Sequence, residues 1–347
     1  GGDFLKKIRD SRFEALRIIA ILMIVLSHFS LYGQQYRLTR GGVSLSDFLG
    51  IRLFQPVGPA GAYLFVMITG FFVGNQVIEF KKALSKGIQV WLETIFYTLI
   101  IFLIFVLSNN SFWNLKNLLM AVFPFTFRAY WFVSAYIMLT CLTPFINIVL
   151  VNINKIQWLV LIVVTTTFFS VFPIINNFVG AEANSLGILV PPYLIGAYIH
   201  KFQPRFKHIA IVFSGVMCLL LMYLLSISIS LFKGAEHGKA VFVGLLPLLL
   251  AVSIFLVINN SNTYRNKIMN QLSSTVFAGY LITENVLVRP VIWKILSFKN
   301  VSNIWIADLL GLLSVCAMIF IGAFLIDKIR QYIFHFFKAN KLYAKSK

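Results

Sequence analysis

The sequence predicts an all-α integral membrane protein of about ten transmembrane helices, with both termini in the cytoplasm. Three observations carry that prediction. Hydrophobic residues make up 59% of 347 positions and charged residues only 12%, with a mean hydropathy of +0.86; soluble domains run at roughly 25% charged. The apolar residues come in long blocks, and a spanning helix needs roughly 20 of them in a row. Finally, Lys and Arg crowd onto alternate connections between the blocks.

The expected spans are 13–32, 56–78, 88–108, 130–150, 157–175, 185–200, 207–230, 239–258, 270–292 and 304–326. The sixth is short. Gly, Asn, Lys and Pro fill the connections. The stretch 112–127 is moderately apolar and Asn-rich, which suits a re-entrant or interfacial piece. Counting Lys and Arg from the N-terminus and every second connection gives 20, against 9 on the other side, which places both termini inside. Residues 1–12 then form a cytoplasmic N-terminal segment, 13–326 the membrane domain, and 327–347 a basic amphipathic tail on the inner leaflet. Gly1-Gly2 without a methionine reads as a cloning remnant. No small-residue cleavage site follows the first apolar block, so that block is expected to be a retained helix.

Composition also excludes. The net charge of +19 sits at the ends of apolar blocks, where lipid headgroups account for it, and no nucleic-acid motif is present. Cys141, Cys218 and Cys316 lie far apart inside apolar blocks and have no metal-ligand or disulfide spacing, so no metal site is expected. No phosphate-binding Gly-rich loop, GxSxG elbow or HExxH pair occurs.

Ionisable groups at membrane depth are costly and point to function. In the first span Glu14 and Arg17 are three residues apart, hence on one face. His28 follows Arg17 by close to three helical turns, so both share a face, roughly 16 Å apart along the axis. One helix thus carries a cation near the cytoplasmic mouth and an imidazole deeper in, suiting an anionic cytoplasmic donor and a deeper chemical step. Separately, each residue is also compatible with snorkelling or a helix–helix hydrogen bond. The second span holds Thr69-Gly70 among aromatics, a pair that permits close helix approach. Into the fourth span run Tyr130, Trp131, Ser134 and Tyr136, either interface residues or the lining of a polar cavity. The ninth carries Glu284, Asn285 and Arg289, which pair with each other or with polar groups elsewhere. Glu93 and Asp308 are further ionisable residues, expected to satisfy neighbouring helices or to lie at the interface.

Four segments of this chain resemble acyltransferase family 3 of bacterial membrane proteins. Arg17 and His28 fit the family's Arg, ten residues, His pattern, preceded by an acidic residue matched by Glu14. Phe65 to Phe72 fits its Phe-x-x-Ile-Ser/Thr-Gly-Phe segment. Tyr130-Trp131-Phe132 through Tyr136, with Pro144-Phe145, fits the fourth-helix Trp-Phe stretch. Leu272 to Pro290 is similar to the late-helix segment, with one departure: Thr283 stands where the family usually has His. No stretch resembles the SGNH-type domain that some relatives carry.

The resemblance implies ten helices in the bacterial plasma membrane and O-acylation of a sugar hydroxyl, most often acetylation from cytoplasmic acetyl-CoA, as in polysaccharide modification. It implies no bound cofactor, with acetyl-CoA or another acyl-CoA as co-substrate and a cell-surface or lipid-linked saccharide as acceptor. His28 is then the expected general base, and Arg17 and Glu14 complete the expected catalytic set, with Glu14 orienting Arg17. Arg17, Lys81, Lys82 and Lys86 would attract the donor phosphates. Thr69, Tyr130, Trp131, Ser134, Tyr136, Glu284, Asn285 and Arg289 would line the acceptor cavity. A transporter or flippase for a lipid-linked sugar or small polar solute, and a sensory scaffold, use the same polar residues and stay open as alternatives. The acceptor, the acyl group and the oligomeric state are not encoded in any motif.

Overall fold

A computed structural model of the chain describes residues 10–39, 43–127, 129–175 and 186–344; side chains at 39, 174–175, 235–236 and 336–344 are not described. Lys6, Lys7, Arg9, Arg40 and Arg128, which entered the charge count, lie outside the described residues.

Every regular element among the described residues is helical. In order these are α1 (Ser11–His28), α2 (Leu45–Ile51), α3 (Val57–Val73), α4 (Phe80–Ser108), α5 (Leu115–Val122), α6 (Trp131–Asn152), α7 (Lys155–Thr166) and α8 (Phe172–Ile175). There follow α9 (Val190–Phe202), α10 (His208–Lys233), α11 (Leu245–Asn259), α12 (Lys267–Ser273), α13 (Val276–Thr283), α14 (Val288–Ile295), α15 (Ile304–Ala317) and α16 (Phe324–Ala344).

Each expected block coincides with helix, but length sorts them. Five helical stretches are long and apolar enough to cross a membrane: Ser11–Leu38, Phe80–Ser108, Trp131–Asn152, His208–Lys233 and Ile304–His335. A sixth forms if Lys267–Thr283 and Val288–Ile295, which meet at 95°, count as one broken span. Val57–Val73, Lys155–Val171 and Leu245–Asn259 are apolar but shorter. The reason lies in position: α3, α9 and α11 are largely buried by other helices, and backbone surrounded by protein need not match the bilayer thickness. The stretch 112–127 forms the short helix α5 between α4 and α6.

The N-terminus of α1 is locked in place. Asp10 caps it, accepting from the backbone N–H of Arg12 at 3.1 Å. The Arg12 guanidinium donates back to the Asp10 carboxylate and holds it below the usual carboxylate range. Its remaining nitrogen donates to the carbonyls of Asn259 (2.8 Å) and Ser261 (2.6 Å), placing a cation at the C-terminal end of α11.

At the centre, α3 packs against both α1 and α9. The Thr69-Gly70 pair behaves as expected: a Cβ at Gly70 would collide with the carbonyl oxygen of Tyr193, and one at Gly196 with that of Met67. The backbones of α3 and α9 therefore touch. Asn147 of α6 seals the far end of α3, donating to the carbonyls of Val73 and Gln76, both at 2.8 Å, and accepting from Tyr193 Oη at 2.7 Å.

The last helix does not stop at 326. It continues through Ala344, and Asp327 and Arg330 are buried against α4. There Tyr97 donates to Asp327 at 2.7 Å, while Arg330 pairs with both Asp327 and Glu93. Charge ended the apolar stripe in the sequence, but these charges neutralise one another across helices instead of facing water.

Candidate active site

α1 and the α12–α13 segment run side by side in the same direction. At their starts, the Ser11 hydroxyl donates to Asn270 at 2.9 Å. Slightly further along, Glu14 accepts from Arg17 at 2.7 Å and from the Ser273 hydroxyl at 2.5 Å. At the other end of the same pair of helices, His28 meets Glu284. The pairing of two parallel segments thus builds two polar clusters at opposite ends, roughly 16 Å apart at 1.5 Å per residue between Arg17 and His28.

The deeper cluster is the candidate catalytic site. Nδ1 of His28 lies 3.0 Å from Oε2 of Glu284, and Arg289 Nη1 lies 2.9 Å from Oε1. Both carboxylate oxygens are therefore engaged, and the side chain is only 7% exposed. Tyr32 directs its hydroxyl at Oε1 from 3.5 Å, and Arg289 lies over the Tyr32 ring at 4.9 Å. The imidazole and the carboxylate are thus within ion-pairing distance, although His28 Nδ1 and Glu284 Oε2 are not in hydrogen-bonding geometry.

The broken helix makes this possible. Glu284 ends α13, and the chain bends by 95° before α14. Asn285 holds the bend: its Oδ1 accepts from the Leu287 N–H at 2.9 Å, and its Nδ2 donates to Tyr130 Oη at 3.0 Å. Tyr130 in turn donates to the Leu281 carbonyl at 2.8 Å, one of the carbonyls near the end of α13. Thr283 is turned away. It is buried, and its hydroxyl donates to the Gly279 carbonyl one turn back at 2.8 Å. His28 is thus the one imidazole in this cluster among the described residues.

The sequence-derived residues divide accordingly. His28, Glu284, Arg289, Asn285 and Tyr130 come together; Glu14 and Arg17 form the second cluster with Ser273. Thr69 and Tyr136 hydrogen-bond to each other at 3.0 Å. They stand at one end of an aromatic wall in which Phe65 meets Tyr136, Phe132 and Phe277, and Tyr280 meets Phe132, Phe277 and the His28 ring. The structure does not place Trp131 and Ser134 against His28: Trp131 meets Phe132, and Ser134 lines a small pocket against α4 and Pro124-Phe125 that it shares with Tyr130, one turn back on the same face. Lys81, Lys82 and Lys86 are exposed at the start of α4.

Three participants escaped sequence reasoning. Tyr32 sits one turn beyond His28, a spacing that could have flagged it. Ser273 and Tyr280 carry no such signal. Two pockets flank the helix pair. One of about 370 Å³ at the α1 N-terminus is lined by Arg12, His200, Arg205, Asn259 and Asn260 among others. Another of about 390 Å³ adjoins Tyr32 and Arg289.

A multi-helix membrane bundle holding an imidazole beside a buried carboxylate, with a pocket on either side, has the polar groups at membrane depth that mark a membrane-embedded functional site. The particular family follows from comparison with known proteins. The chain belongs to acyltransferase family 3, whose Acyltransferase domain matches residues 10–328, from the cap of α1 into α16. No curated protein and no solved structure matches it. Membrane acyl transfer is the chemistry this family defines.

Proposed function

We propose that this protein is an O-acyltransferase that moves an acyl group, acetyl in the first instance, from cytoplasmic acetyl-CoA to a hydroxyl of a cell-surface or lipid-linked saccharide. The observation that carries the reading is the His28–Glu284–Arg289 arrangement inside a family-3 acyltransferase domain.

In this scheme His28 Nε2 takes the proton of the acceptor hydroxyl as its oxygen attacks the thioester carbon. Glu284 balances the imidazolium that forms. Arg289, or the Tyr32 hydroxyl, stabilises the negative charge on the former carbonyl oxygen. As the tetrahedral centre collapses, the C–S bond breaks and the imidazolium returns the proton to the CoA thiolate. The ester product and free CoA balance the reaction. Glu284 acts through His28 and is a positioning residue.

Donor binding is assigned to the opposite end of α1. Arg17 is one-third exposed there, beside the pocket-bearing Arg12 and Arg205 end of the bundle, and cations of this kind attract the CoA phosphates. The lysines of α4 sit on the same side of the proposed topology and are kept as outer attractants. The scheme places ten helical passes in the bacterial plasma membrane with both termini inside, supported by the distribution of Lys and Arg.

The test is acetyl-CoA binding and turnover by purified protein, wild type beside His28→Ala and Arg17→Ala. Saturable binding weakened by Arg17→Ala, with thioester cleavage lost in His28→Ala, supports the reading. Full turnover in His28→Ala removes His28 from the chemistry. Substrate movement across vesicles with no CoA dependence selects the transporter reading instead.

A further inference from the structure

We propose that the pocket beside His28 selects an anionic acceptor, a sugar or polyol bearing a carboxylate or phosphate, over a neutral one. This rests on the assignment of His28 as the acceptor's general base and adds the acceptor's charge class.

The pocket of about 390 Å³ is lined by Tyr32, Tyr36, Arg289, Trp293, Lys294 and Lys299 together with small and apolar neighbours. Its size falls within the range of roughly 300–1,000 Å³ usual for small-molecule sites. Three of the lining side chains are cations and no acidic residue lines it. Glu284 lies behind, nearly buried, with its two oxygens directed at His28 and Arg289. The cations are arrayed over aromatic rings: Arg289 over Tyr32 at 4.9 Å, Lys299 over Tyr36 at 5.0 Å. A fourth, Arg37, stands 5.5 Å from the Tyr36 ring and is anchored to the carbonyls of Phe298 (2.9 Å) and Val301 (3.0 Å).

The location sharpens the point. These cations gather at the His28 end of α1, on the side that the Lys and Arg bias marks as external. Basic residues are disfavoured there by the rule that orients membrane proteins. Yet this pocket concentrates them next to the proposed base. Tyrosine faces take a sugar ring, and the surrounding ammonium and guanidinium groups take its negative charge. A neutral sugar would leave that positive field uncompensated.

The same cations could instead serve an anionic lipid headgroup, so the experiment separates the two sources. Wild-type protein in an uncharged detergent, without any acyl donor, is titrated with glucose, glucuronate and glucose 1-phosphate. The same titrations are made on Lys294→Gln/Lys299→Gln and on His28→Ala. Because both lysines are exposed, the double variant is expected to melt with the wild type. The expected result is binding of the charged sugars about tenfold tighter than glucose, the scale of two exposed ion pairs. That preference should fade between 20 mM and 500 mM salt and vanish in the double variant. The salt series on wild type alone tests the same point if the variant folds poorly. Equal or undetectable binding of the charged sugars overturns the proposal. So does protection seen only with phosphatidylglycerol-containing nanodiscs, which would assign the pocket to lipid. Since no donor is present, His28→Ala should retain the preference. Retained preference with unimpaired acyl transfer in His28→Ala would sink the base assignment alone.

Discussion

Replacing Glu284 by Gln is the most informative single change. Gln keeps the volume of a nearly buried side chain but can offer only one acceptor oxygen where Glu offers two. In the structure those two oxygens lie 3.0 Å from His28 Nδ1 and 2.9 Å from Arg289 Nη1. One of the two contacts must be lost or faced by an NH₂ group. A hydrogen bond to a charged group contributes about 1.5–3 kcal/mol. At 1.36 kcal/mol per decade, losing it in the transition state slows turnover roughly 10- to 150-fold. His28→Ala removes the base itself and should cost about 10²- to 10⁴-fold. Because Glu284 shares the His28 site, the double variant should lose less than the product of the two single losses. The assay is CoA release with a saturating acceptor, with the acyl-CoA KM and the melting temperature followed in parallel. A near wild-type rate for Glu284→Gln refutes the positioning role. A double variant whose loss equals the product of the two single losses refutes it as well, since the residues would then act independently.

Three further outcomes are expected. Gly70→Ala inserts a methyl against the Tyr193 backbone and should lower stability by about 1–3 kcal/mol, seen as a lower melting temperature; Gly322→Ala, with open space around it, should change nothing. Asp308 is 2% exposed with neither oxygen hydrogen-bonded among the described residues, so Asp308→Asn should leave thermal stability unchanged or raise it, and a marked fall would reveal a partner for the charge. For topology, the three native cysteines are replaced first. A cysteine at Ser111 should then react with an impermeant maleimide on intact cells, and one at Ser261 only after permeabilisation; the reverse pattern would invert the proposed orientation.

Much of this fold is legible in one dimension because a bilayer sets helix length, and apolar blocks record it. What hydropathy does not distinguish is a lipid-facing helix from one shielded by its neighbours. Val57–Val73 and Leu245–Asn259 read like outer spans but are short helices enclosed within the bundle. The same limit hid the packing of the last helix, where Asp327 and Arg330 read as part of an amphipathic tail on the inner leaflet until Tyr97 and Glu93 are placed opposite them. In the site, cost at membrane depth singled out His28, Glu284 and Arg289 individually. The Glu284–Arg289 pair was legible from their five-residue spacing in one span, but its union with His28 was not, since nothing in the spacing says that α13 lies alongside α1. Trp131 and Ser134 were drawn in by adjacency to Tyr130, yet sequence spacing does not say that Ser134 shares with Tyr130 a pocket against α4 rather than the His28 cluster.

The backbone contact between α3 and α9 has a mechanical consequence. Two helices joined at Gly70 and Gly196, and stitched at one end by Asn147, cannot slide past each other without breaking van der Waals contact along the seam. The stretches Phe80–Ser108 and His208–Lys233 have only 28% of their apolar windows buried, against 61% for the span that carries His28. The candidate site is therefore mounted on the enclosed part of the bundle, with its tightest helix seam behind it and the less enclosed helices around it.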